Sequence, residues 1–122
     1  MTTFSNSPKP TSSPWGHIQG AKEIFPGVWN VSTPGHGGLI LSAERMAAMP
    51  AALKCNVYGR GNAFEEDCEW ALVAAAFPEE FAGYAPGAMK HVGPTLDGDC
   101  YRKAHDYWLL LEQTNADAEV QS

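Results

Sequence analysis

Cations are scarce in this chain. Its eight Lys and Arg stand against fourteen Asp and Glu in 122 residues, for a formal net charge of −6. The eight (Lys9, Lys22, Arg45, Lys54, Arg60, Lys90, Arg102 and Lys103) form no stripe. Duplex binding by counterion release needs clustered cations, so direct nucleic-acid binding is disfavoured. Long apolar runs are missing too. The longest, Trp70 to Phe77, falls far short of the roughly 20 residues of a helical membrane span. The start of the chain lacks the basic and apolar stretches of a secretory signal. Cys55, Cys68 and Cys100 are odd in number and show no C-x-x-C spacing, which disfavours a disulfide framework and a structural zinc. Inert thiols in a reducing compartment are expected, hence a cytoplasmic protein. H-E-x-x-H, the P-loop, G-x-S-x-G and the dinucleotide glycine fingerprint are all absent, so no cofactor and no metal are expected.

What is present is turn-forming and small. Twelve Gly and nine Pro imply many turns, and one domain is the expectation at this length. Residues 1–14 read as a flexible lead, with Pro8, Pro10 and Pro14 among Ser and Thr. A single domain spans 15–112, and 113–122 is a polar, frayed tail. Three strands are predicted: about His17 to Phe25, Val28 to Thr33 after the Pro26-Gly27 turn, and Leu39 to Leu41. The consecutive apolar residues of the third imply cover on both its faces. Helices follow. Ser42 is placed to cap one that starts at Ala43 and stops near Pro50, with a short helical turn through Leu53. Beyond the Gly59-Arg60-Gly61 break, Asn62 with Glu65 resembles a capping box. The helix behind it carries Trp70, Val73, Ala74 and Phe77 as one stripe. Residues 83–98 look irregular, and a last helix runs from about Asp99 to Glu112. Strands first and helices afterwards predict an α+β domain: a small antiparallel meander with helices packed on one face.

Two clusters could carry chemistry. His36 stands among Gly35, Gly37 and Gly38. Bare backbone there can turn N–H groups into a shared hollow for an anion, and an accessible imidazole titrates near neutral pH. The plainer alternative is a tight hairpin connection. Glu65, Glu66, Asp67 and Glu69, with Glu79 and Glu80 further on, form the acidic cluster. Glu65 and Glu69 lie one helical turn apart, and Glu66 with Glu69 is the i, i+3 alternative. Paired carboxylates can hold a proton or a divalent cation, whereas the plainer role is to complement the helix dipole. Should the helix start pack beside the hairpin tip, an acid would orient the His36 ring. His17, His91, His105 and Asp106 read as structural or solvated.

The runs Ser13-Pro14-Trp15-Gly16, Pro26-Gly27-Val28 and Ser32 to Arg45, then Glu65 to Trp70 and Ala76-Phe77-Pro78, resemble a small uncharacterised family of bacterial, phage and plasmid proteins, a domain of unknown function. The family pattern places Trp-Tyr before the acidic triplet, where this chain has Ala63-Phe64. The resemblance implies a mobile-element setting. Short accessory proteins there counter host defence, CRISPR systems included, by binding the machinery. Stoichiometric binding to a host or defence-system protein is therefore expected, through Gly35 to Gly38 and the acids Glu65, Glu66, Asp67, Glu69, Glu79 and Glu80. The alternative is a hydrolase or group transferase with His36 as acid/base and Glu65 or Glu66 as its partner. The oligomeric state is open, and a purely structural role within an assembly is the third possibility.

Overall fold

The computed structural model describes residues 3–54, 56, 59–66, 69–81 and 106. Four antiparallel strands, β1 (Gly20–Phe25), β2 (Val28–Ser32), β3 (Gly37–Leu41) and β4 (Ala63–Glu65), form one sheet in the order β1-β2-β3-β4. Between β3 and β4 lie helix α1 (Ala43–Ala48) and a single 3-10 turn (Ala51–Leu53), and helix α2 (Trp70–Ala76) follows β4. This is the expected α+β arrangement.

Local chemistry sets most of these boundaries. Pro26 and Gly27 make the β1–β2 turn, where Gly27 has φ +78°, the left-handed conformation glycine adopts without strain. Ser42 caps α1, its hydroxyl accepting the Arg45 N–H at 3.2 Å. Met49 ends that helix in an extended conformation just ahead of Pro50, a position where proline disfavours helix.

All five residues of β3 are buried. Leu39 and Leu41 face the main core with Val28, Phe64, Met49, Leu53 and the α2 side chains. Ile40 points the other way, into a small cluster with Val31 and Ala63, flanked by half-buried Trp15, Ile18, Ala21 and Trp29. Both faces are covered, as the consecutive apolar run predicts. Helix α2 is wrapped more completely than its stripe implies, since Ala71 to Ala75 are all buried.

The capping-box reading of Asn62 and Glu65 is corrected. The sheet has a fourth strand there, and α2 begins only at Trp70 with no acid in its first turn. A buried β3 with one open edge would leave backbone groups unpaired in the interior, which costs more than a forgone cap. Residues 63–65 pair with that edge instead, Gly38 opposite Glu65 and Leu39 opposite Phe64. The Asn62 amide donates to the Leu41 carbonyl at 2.8 Å, sealing the end of the same ladder.

The segment read as a lead touches the sheet, α1 and the main core. Phe4 packs on the main core, the Ser5 N–H donates to Glu44 Oε1 at 2.8 Å, and the Ser7 N–H donates to Glu23 Oε2 at 2.9 Å. The Trp29 indole donates to the Ser7 hydroxyl at 3.0 Å. Cys55, Asp67, Cys68, His91, Cys100 and His105, the irregular stretch 83–98, the final helix (but for Asp106) and the tail lie outside the described residues. Among the described residues no helix is long and apolar enough to cross a membrane.

Candidate functional site

The loop 33–36 joins β2 to β3 and is closed on itself. Thr33 donates both its N–H (2.8 Å) and its hydroxyl (2.7 Å) to the His36 carbonyl, and the His36 N–H donates back to the Thr33 hydroxyl at 3.2 Å. Thr33 is buried while Pro34, Gly35 and His36 are exposed. His36 is thus exposed to solvent on a loop whose two ends are tied together by Thr33.

The neighbouring glycines divide by role. Gly35 has open space around it. Gly37 and Gly38 belong to β3 and have no positive φ, so close approach is what they supply. A Cβ on Gly37 would lie 2.7 Å from the Val31 carbonyl and 2.9 Å from Glu66 Oε2. One on Gly38 would collide with the Phe64 carbonyl and lie 2.7 Å from Trp15 Cη2. Trp15 therefore sits on bare backbone at Gly38.

The acidic cluster separates into three environments. Glu69 is fully buried; its Oε1 accepts the N–H of Gly59 at 2.7 Å and of Glu65 at 3.1 Å, clamping the loop that leads into β4. Glu65 is also buried, opposite Gly38. Glu66 and Glu79 are exposed. Glu80 makes a bidentate ion pair with Arg45. Of these acids, Glu66 is tied to the hairpin through its backbone: its N–H donates to the Gly37 carbonyl at 3.0 Å, one position from His36. The helical spacing of Glu65 with Glu69 does not occur, because Glu65 is in a strand. His17 and Asp106 are exposed. Among the described residues no group of three or more His, Cys, Asp or Glu is placed to hold a metal ion.

Beside this tip lies a groove of about 510 Å³ lined by Ile24, Phe25, Asn30, Gly38, Leu39, Glu66, Trp70 and Phe81. Its walls are mainly apolar. The Phe25 and Phe81 rings meet edge to face at 5.0 Å. Asn30 and Glu66 are its exposed polar groups. Sequence reasoning missed the groove. The adjacent apolar pair Ile24-Phe25 was its one signal, because a regular strand would send these two to opposite faces. A shift in register between Glu23 and Phe25 brings both to the core side.

Fold and groove together define a small α+β domain with a concave, largely apolar groove. The chain belongs to the family described as a domain of unknown function (DUF7007), whose model matches residues 8–121. No curated protein and no solved structure matches it.

Proposed function

We propose that this chain acts by stoichiometric binding to a protein partner through the groove beside the His36 tip, and that the partner is a host or defence-system protein. The phage or plasmid setting, and anti-defence action against systems such as CRISPR, rest on the resemblance carried by the Thr33 to Gly38 and Glu65 to Trp70 motifs. The observation that supports binding is the groove itself. Half-buried Ile24, Phe25 and Trp70 line a concave site, the kind of place where interface energy concentrates. One apolar side chain seated there contributes about 1.5–3 kcal/mol. Glu66 adds preference for a partner that brings a cation or N–H donor, an attraction that salt weakens.

One observation favours the enzyme reading as a second possibility. An exposed imidazole and an exposed carboxylate flank Gly37, which suits an acid/base pair on a hydrolase or group transferase. The buried placement of Glu65 and Glu69 leaves Glu66 as its acid among the described members of the cluster.

Capture from host lysate at physiological salt tests both. The binding reading expects a discrete partner with the wild-type chain, retention of about a tenth or less of it with Trp70→Ala or Glu66→Arg, and full retention with His36→Ala. Wild-type chain that recovers no partner, or a partner indifferent to both groove variants, overturns it. The enzyme reading expects His36→Ala to abolish biological activity at an unchanged melting temperature. Full activity in that variant ends it.

A further inference from the structure

Arg45 is a fully buried arginine on a six-residue helix, and no part of the groove uses it. Its guanidinium lies over the Phe4 ring at 3.9 Å and the Phe77 ring at 4.7 Å. Nε donates to the Pro26 carbonyl at 2.8 Å, and the two terminal nitrogens donate one bond each to the Glu80 carboxylate. A guanidinium carries five N–H donors in a planar fork. Three are accounted for, and among the described residues no acceptor meets the other two.

The two ends of this ion pair differ. The Arg45 side chain is 1% exposed and that of Glu80 is 30% exposed. Arg45 is fixed by rings and a carbonyl. Glu80 sits on the turn after α2, at the margin of a cavity of about 470 Å³ that Phe4, Pro26, Arg45, Ala48 and Phe77 also line. That cavity shares no lining residue with the groove beside His36. Buried ion pairs are poor stabilisers compared with apolar packing of the same volume, so stability alone gives little reason for a caged arginine beside an open cavity.

We propose that Arg45 anchors a second, carboxylate-binding site, which the chain's own Glu80 fills in this structure, and that its ligand is a small organic carboxylate with a flat apolar body. The ligand carboxylate takes the place of the Glu80 carboxylate on the guanidinium fork, and Glu80 turns out to solvent. One anion replaces another, so the charge around Arg45 is unchanged. Glu79, exposed beside the cavity, is screened by salt. The apolar body rests against Pro26, Ala48 and the Phe4 and Phe77 ring edges. A cavity of this size falls within the range of small-molecule sites.

Phenylacetate and its uncharged analogue phenylacetamide, titrated into the intact chain and followed by NMR, test the proposal. Glu80→Gln removes the internal competitor while keeping hydrogen-bonding atoms in its place. Phenylacetate should bind this variant saturably and about tenfold or more tighter than it binds the wild type, with the Phe4 and Phe77 ring signals shifting. Phenylacetamide should bind neither. Equal binding of acid and amide, or no gain of Glu80→Gln over the wild type, overturns the proposal. The wild type gives a reading that needs no variant: at high phenylacetate the Glu80 side-chain carboxyl signal must move, and a signal that stays in place sinks the idea.

Discussion

Glu66 and Gly37 hold the hairpin tip to the fourth strand: the Glu66 N–H bonds to the Gly37 carbonyl at 3.0 Å, and Glu66 Oε2 lies 2.9 Å from where a Gly37 Cβ would stand. Neighbouring glycines should therefore respond unequally to substitution. Gly38→Ala drives a methyl into the Phe64 backbone, which cannot give way without parting β3 from β4. A loss of about 3 kcal/mol or more is expected. Gly35→Ala meets open space at an ordinary φ and should stay within about 0.5 kcal/mol of the wild type. Urea unfolding of the two variants checks the contrast. Equal losses would mean that the loop's own conformation, and not strand approach, requires glycine.

A second consequence concerns Glu69. Its carboxylate is fully buried and receives the N–H groups of Gly59 and Glu65. Truncation to Ala leaves two interior donors unsatisfied and a void beside them. The expected cost is about 3 kcal/mol. Glu69→Gln keeps an acceptor oxygen but forfeits the charge-assisted part, for about 1–2 kcal/mol. If Glu69→Ala unfolds at the wild-type urea concentration, the carboxylate is not the clamp of this loop.

What the sequence discloses here is what neighbouring residues decide. The Pro26-Gly27 turn, the Ser42 cap and the stop before Pro50 follow from φ preferences and side chains a few positions apart, and each is where it is expected, whereas the glycine-rich loop is shorter than its composition implies, Gly37 and Gly38 having joined β3. The start of β4 is not legible in that way. Asn62 and Glu65 carry a respectable local cap pattern, and only the open edge of β3, distant in the chain, makes a strand the better solution. Arg45 is hidden for the same reason. Its burial depends on Phe4 and Glu80, brought together from far along the chain, and Phe4 stands out only as the lone ring in a polar stretch. The hairpin and Glu66 meet through backbone, the Glu66 N–H on the Gly37 carbonyl. Glu65 and Glu69 look like surface acids in sequence but are buried, and the Glu69 carboxylate accepts backbone N–H groups of the interior.

The pH dependence of stability should show the mark of Glu23. Backbone hydrogen bonds from Gly27 (3.0 Å) and Ser7 (2.9 Å) hold its carboxyl below the ordinary carboxylate range, against a smaller opposing effect of burial. A carboxyl depressed in the folded state binds its proton more readily when unfolded. Its contribution is therefore complete above the unfolded value, about 4.3, and is lost as pH falls through the lower folded one. Glu23→Gln should flatten the acid side of the stability profile while leaving the shape near neutrality alone. Melting temperatures from neutral pH down to the acid limit of folding give the comparison, and parallel profiles for variant and wild type would contradict it.

Phe4 should matter more than a residue so near the start of the chain ordinarily does. Its ring covers the Arg45 guanidinium at 3.9 Å and meets Phe77 edge to face at 5.5 Å. Two effects can then be separated by size. Phe4→Leu keeps most of the apolar cover and removes the ring quadrupole, for about 0.5–1 kcal/mol. Phe4→Ala loses the cover as well and opens Arg45 to water, for about 2 kcal/mol in all. Ser5→Ala, one position along, contributes only its backbone N–H to Glu44 and should be silent. Chemical denaturation with an unchanged slope would read these as changes in the native state. A Phe4→Ala variant as stable as Ser5→Ala would show that the segment ahead of β1 adds nothing to the fold, and that the aromatic cage around Arg45 does not form in solution.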